Sequence, residues 1–233
     1  FKGYSLKYMK KIMKIGFCPF IITFTDSVIL IVMNKMVSIY ADGNADLYLT
    51  INSILLSFFT LISMPFSGIS LGGQPFLSYN YGASEPKRVR KGFIYELMIC
   101  YIYGIIMFII SMFYSKYFIK LFILTKTEEV QNAILNVAPN IIRWYCLGVI
   151  LLPLQWCCVD TLVGLGHANR AIIFSLIRKI LTVIFTVVFP IFLGTKGCYL
   201  GESVSDIISS TITTIGFVMI FPKILKIKVK HSA

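Results

Sequence analysis

Apolar residues come in blocks of about 20, long enough as helices to cross a hydrocarbon core of about 30 Å. Short polar or basic segments separate them. Six transmembrane spans are predicted. The first covers residues 15–39 and carries Pro19; the second covers 48–72 and carries Pro65; the third covers 92–115. The fourth, 138–163, is the most polar, with Pro139 at its start and Pro153 inside. The fifth, 171–193, ends near Pro190 and Gly194, and the sixth, 198–221, is expected to stop at Pro222. A rival arrangement makes one of the six re-entrant. The fold class expected is all-α integral membrane. No repeat of fixed period and no low-complexity tract interrupts it.

Polar residues inside these blocks fall in stripes. A polar group in lipid must find a partner or face water, so a stripe marks an inward face. Span one carries Thr23, Asp26, Ser27 and Asn34 within an arc of about 100° at 100° per residue. Span two carries Ser53, Ser57, Thr60 and Ser67, and span five Ser175, Arg178, Lys179, Thr182 and Thr186. Span six carries Glu202, Asp206, Ser209 and Thr213. Hydroxyls alone are common between packed membrane helices. Charges are different, because one at mid-bilayer costs about 2.5–3.5 kcal/mol on insertion scales. Six helices around a wet or polar centre satisfy all four stripes.

Each ionisable residue has two readings. Asp26, near the middle of span one, is a cation or proton site or a protonated, hydrogen-bonded acid. Asp160, near the end of span four, and Arg178, early in the antiparallel span five, are placed to meet as an ion pair or to serve transport. Glu202 and Asp206 either pair with Arg143 or draw cations toward a cavity mouth. Glu96, beside basic residues, is expected to form a salt bridge.

Composition agrees. Of 233 residues 57% are hydrophobic and 14% charged, against about 45–50% and about 25% in soluble domains. That excludes disorder and makes a soluble globule untenable. The net charge of +12 is no sign of nucleic-acid binding, because the basic residues flank the apolar blocks, as membrane topology requires. Fourteen Lys and Arg fall on the side holding the N-terminal segment, the 80–92 loop, Arg170 and the tail, against four on the other side. Both ends are therefore expected in the cytoplasm, and the plasma membrane is the expected location. Residues 1–14 read as a basic cytoplasmic linker. Within 4–14, Leu6, Met9, Ile12 and Met13 at helical spacing among lysines suit a helix on an anionic leaflet or a basic flank that fixes topology. Residues 15–222 are the transmembrane lobe and 223–233 a basic cytoplasmic tail. The start at Phe1, without Met, reads as the interior of a longer chain.

Enzymatic chemistry has little to work with. The six Cys sit mostly in apolar blocks, without CxxC or Cys/His clusters, so no metal site is expected. His167 and His231 lie outside the blocks. No HExxH or phosphate-binding GxxxxGK[ST] stretch occurs.

The most specific stretch closes span two. It contains Gly68, Gly72, Gln74, Pro75, Tyr79, Asn80, Tyr81, Gly82 and Ala83, followed by Lys87-Arg88-Val89-Arg90-Lys91. It resembles the signature of the multidrug and toxic compound extrusion (MATE) family at the end of its eighth helix, with Ser78 where the family usually has Gly. Gly16-Phe-Cys-Pro19 with Asn34 resembles the seventh helix. Gly164-Leu-Gly166-His-Ala168 resembles the loop between helices ten and eleven. Ser175-Leu-Ile-Arg178 and Gly201-Glu202-Ser-Val-Ser205-Asp206 resemble helices eleven and twelve, with Ser203 replacing a Pro. The resemblance implies the second six-helix lobe of a twelve-helix transporter, its N-terminal lobe missing here. It implies export of drugs or small organic cations by antiport with Na⁺ or H⁺, no other cofactor, and no catalysis. Asp26 and Asp160 are then the nearest candidates for cation coupling, with Asn34, Glu202, Asp206 and Arg178 around the cavity. Phe24, Tyr79 and Trp156 are aromatic candidates for facing an organic cation. Pro19, Pro65, Pro153 and Gly164 are expected to let helices bend or pack during alternating access. A lipid-linked oligosaccharide flippase of the same fold and a non-transporting scaffold remain as alternatives.

Overall fold

The computed structural model describes residues 6–232 except 42 and 125; side chains of most of residues 6–22 and of 227–232 lie outside that description. Pro19, Cys18, His231 and the lysines of the first 14 residues therefore fall outside it. Eight helices follow in order: α1 (Leu6–Tyr40), α2 (Ala45–Gly82), α3 (Pro86–Phe113), α4 (Ser115–Ile123), α5 (Glu128–Tyr145), α6 (Leu152–Gly164), α7 (Ala168–Leu193) and α8 (Thr195–Ser232). A 3-10 turn, Cys146–Ile150, joins α5 to α6. Among the described residues, five helical segments are long and apolar enough to cross a membrane, α5 and the 3-10 turn counting as one. With α1, a 35-residue helix, the path makes about six crossings. The chain is an integral, multi-pass membrane protein.

Several boundaries move outward from their expected places. Span two is expected to end at residue 72, but α2 runs to Gly82 through Pro65 and Pro75. Pro222 likewise lies inside α8 instead of ending it. A proline removes one donor and crowds one carbonyl, and in a packed membrane helix neighbours can satisfy what is freed. The loop expected at 80–92 shrinks to residues 83–85, because Pro86 is tolerated in the first turn of α3. Residues 6–14 are the opening turns of α1, and residues 223–232 the closing turns of α8.

Span four departs most. It begins at Glu128, ten residues early, and breaks at 146–151. The break brings α8 close: a Cβ on Gly148 would sit 2.8 Å from Asp206 Cβ. Ser203 answers it from α8, its hydroxyl donating to the carbonyls of Trp144 and Tyr145, the latter at 2.6 Å. The residue that departs from the family's proline thus satisfies carbonyls left at the end of α5. The short α4 fills what reads as a loop. It buries Ser115, Ile119 and Ile123 at four-residue spacing and turns Lys116 and Lys120 outward, with Phe118 edge-on to Phe58 at 4.5 Å.

Two apolar clusters hold the bundle. One joins Val37, Leu55, Phe58, Ile62, Ile134, Ile142 and Tyr199. The other joins Leu77, Val89, Leu162, Phe217 and Phe221, with Phe93 packed 4.8 Å from Phe217. Outward faces remain apolar: Ile102, Ile105, Ile180, Ile184, Ile191, Val218 and Met219 are exposed, as lipid contact requires.

Candidate functional site

A cavity of about 550 Å³ opens between α1, α2, α6, α7 and α8. Its polar lining takes most of the expected stripe of α1 and α7 but only Thr60 of the stripe expected on span two, whose Ser53, Ser57 and Ser67 do not line it. Thr23, Asp26 and Ser27 come from α1; Asn52, Thr60 and Ser63 from α2; Gln155 and Asp160 from α6; Ser175, Arg178, Lys179 and Thr182 from α7. Glu202 of α8 and Tyr145 of α5 close it. Met33, Leu56, Phe59 and Trp156 supply apolar wall.

The charges pair across helices. Asp26 meets the ammonium of Lys179, joining α1 to α7. Arg178 Nε donates to Asp206 Oδ1 at 2.7 Å, joining α7 to α8 behind the cavity wall. The expected pairing of Arg178 with Asp160 is therefore not made. α6 and α8 both pack against α7, and the guanidinium is taken by the acid of α8. Nor do Glu202 and Asp206 pair with Arg143, whose Nε donates to the Met112 carbonyl at 2.9 Å. Glu202 instead accepts from the Tyr145 hydroxyl at 2.8 Å. Among the described residues, Asp160 and Glu202 line the cavity without a cationic side chain in ion-pair contact.

Hydroxyls and amides complete the lining. Asn52 Nδ2 donates to Asn34 Oδ1 at 2.7 Å, so Asn34 stands behind the wall, not in it. Thr182 and Ser205 share a hydrogen bond of 2.8 Å. Gln155 Oε1 is buried without a hydrogen-bond partner.

Other expected site residues lie elsewhere. Phe24 and Tyr79 are exposed and do not line the cavity; of the three aromatic candidates only Trp156 does. The polar stripe of α8 splits. Glu202 faces the cavity, while Ser209 and Thr213 are buried. Neither lines the cavity; elsewhere on α8 a Cβ on Gly201 would come 2.7 Å from the Phe185 carbonyl oxygen of α7. Glu96 is not in a salt bridge among the described residues. It is buried, accepts from the Ser70 hydroxyl at 3.0 Å, and lies over Gly73, where a Cβ would be 2.5 Å from its Oε2. Its position on the inner face of α3, and not the charges beside it in sequence, decides its partner.

The motif closing α2 is a helix stop and a joint. Ser84 has φ +61°; its N–H and that of Glu85 reach back to the carbonyls of Tyr81 and Asn80, capping the helix. Gly166, at φ +80°, ends α6 in the same way, with His167 N–H bonded to the Leu162 carbonyl. Ser78, the departure from the family's glycine, ties the two ends together through the Gly164 carbonyl at 2.6 Å. Asn80 is buried and donates to the Phe76 carbonyl.

Sequence reading missed Tyr145, Gln155 and Asn52. Gln155 sits alone in an apolar run, which is the available signal; Asn52, beside Thr50 and Ser53, and Tyr145, at the helix break, carry none of their own.

The MatE family model matches residues 19–188. The chain belongs to this family. It is similar in fold to a MATE structure determined in complex with MaL6 (TM-score 0.86, 17% identity, 96% of this chain and 49% of that one). It also resembles a MOP superfamily transporter from Pyrococcus furiosus Vc1, described by a binding pocket of reverse polarity (0.85, 16%, 95% and 48%). A third likeness is to the outward-facing conformation of a multidrug resistance MATE family transporter (0.83, 16%, 96% and 49%). The chain thus spans about half the length of the structures it matches. A search of curated proteins returned no match.

Proposed function

We propose that this chain is the second lobe of a secondary transporter that exports organic cations or drugs in exchange for Na⁺ or H⁺, with both its ends in the cytoplasm and the plasma membrane as its location. The observation that carries the reading is the charge balance of the cavity. Asp26, Asp160 and Glu202 face it together with Arg178 and Lys179, and both cations are held by acids. The remaining carboxylates favour a positively charged guest. A coupling ion would meet Asp26 or Asp160, and Trp156 offers an aromatic face to an organic cation.

A lipid-linked oligosaccharide, with its anionic linkage, needs cations free to receive it. Arg178 is committed to Asp206 and Lys179 to Asp26, which favours the organic cation over that substrate.

The test is efflux of a fluorescent organic cation from loaded cells expressing the full-length protein. Asp26→Asn is expected to abolish efflux while membrane insertion, read by fractionation, is kept. Efflux at the wild-type rate removes Asp26 from the mechanism. No efflux from the wild type itself supports the scaffold alternative.

A further inference from the structure

Lys179 is unusual among the charges of this cavity. It is buried, at 7% exposure, yet the acid it contacts, Asp26, has a side chain 53% exposed toward the opening. The cation is therefore the fixed, enclosed partner and the acid the accessible one. Lys179 comes from α7, and two further acids, Asp160 of α6 and Glu202 of α8, line the same cavity. Arg178, one residue earlier, cannot take this place because its guanidinium is spent on Asp206. A compact ammonium on a flexible four-carbon stem differs from a guanidinium fork: it is a point charge that can leave one carboxylate for another.

We propose that the Lys179 ammonium is a built-in occupant of the cation-binding position at Asp26, which an incoming monovalent organic cation must displace. The inference rests on the reading of Asp26 given above and adds the group that holds its site when no guest is bound. The displaced ammonium is offered Glu202, which lines the same cavity, so charge inside the lobe stays compensated when the guest arrives. The Lys179 side chain thus sets how tightly a cation must bind before it is accepted. A large delocalised cation with apolar contacts to Met33, Phe59 and Trp156 gains enough from them to compete.

The measurement is the affinity of tetraphenylphosphonium for the purified full-length protein in lipid nanodiscs at one pH and ionic strength. Lys179→Met is expected to bind it about tenfold more tightly than the wild type, in the usual range of coupling between competing charges. Lys179→Gln, which keeps a donor for Asp26 without the charge, is read in parallel as the variant with less perturbed packing. Asp26→Asn is expected to bind more weakly, and Asp26→Asn with Lys179→Met no more tightly than Asp26→Asn alone. Unchanged affinity in both lysine variants, with Asp26→Asn weakened, overturns the proposal and leaves the reading of Asp26 standing. A gain that persists in the double variant also overturns it. Wild-type affinity in Asp26→Asn overturns both.

Discussion

Arg178 and Asp206 illustrate what one residue's partner costs or contributes. Asp206 is buried and Arg178 largely so, at 4% and 13% side-chain exposure, and removing one leaves the other as an uncompensated charge. Such losses run to about 3–5 kcal/mol, while replacing both by uncharged residues is often near neutral. Arg178→Leu is therefore expected to lower the thermal midpoint of the purified protein sharply, and Arg178→Leu with Asp206→Asn to recover most of it. A double variant no more stable than the single one contradicts the pair's role. Which acid holds Arg178 was not legible in the sequence. Helical periodicity puts Arg178, Glu202 and Asp206 on inward faces, but α7 packs against both α6 and α8, and periodicity does not say which of their acids meets Arg178. Glu96 teaches the same thing: the basic residues beside it in sequence point elsewhere, and Ser70, twenty-six positions away, is what it meets.

Helices were legible where apolar runs are long and were misjudged where proline or a break intervenes. Proline at 65, 75 and 222 reads as an end or kink, yet α2 and α8 continue through it, since the sequence does not display the neighbours that satisfy freed carbonyls. The α5–α6 break at 146–151 is marked only by Gly148 within it and Pro153 in the first turn of α6, which read as a bend inside one span; Gly148 makes room for α8 and Ser203 bonds the exposed carbonyls. The stripe on α8 shows the limit of reading polarity as wetness: below Glu202 it is helix packing. Gly201 fixes the closeness of that packing. Gly201→Ala places a methyl 2.7 Å from the Phe185 carbonyl oxygen, and overpacking of this kind costs typically about 1–3 kcal/mol. The folded, monodisperse yield on size-exclusion chromatography is expected to fall, and an unchanged yield and thermal midpoint would show that α7 and α8 are not held this closely.

At the scale of the molecule, the all-helical membrane fold and the family were readable from the sequence, because block length, basic flanks and the Gly68–Ala83 stretch each constrain them independently. The motif that identified the family is remote in role from the cavity: it caps α2 and locks it to α6. The cavity comes instead from residues scattered over α1, α2, α6, α7 and α8, whose convergence no single stretch displays. The central claim is that these residues border one water-reached chamber, while equally polar residues on α8 do not. Single cysteines at Ser63 and Ser175, on the cavity wall, and at Ser209 and Thr213, buried on α8 outside the cavity lining, separate the two environments. A charged methanethiosulfonate reagent applied to the protein in membranes is expected to modify the first two above the wild-type background and to leave the last two unmodified. Equal labelling of all four, or none at Ser63 and Ser175, would contradict the account.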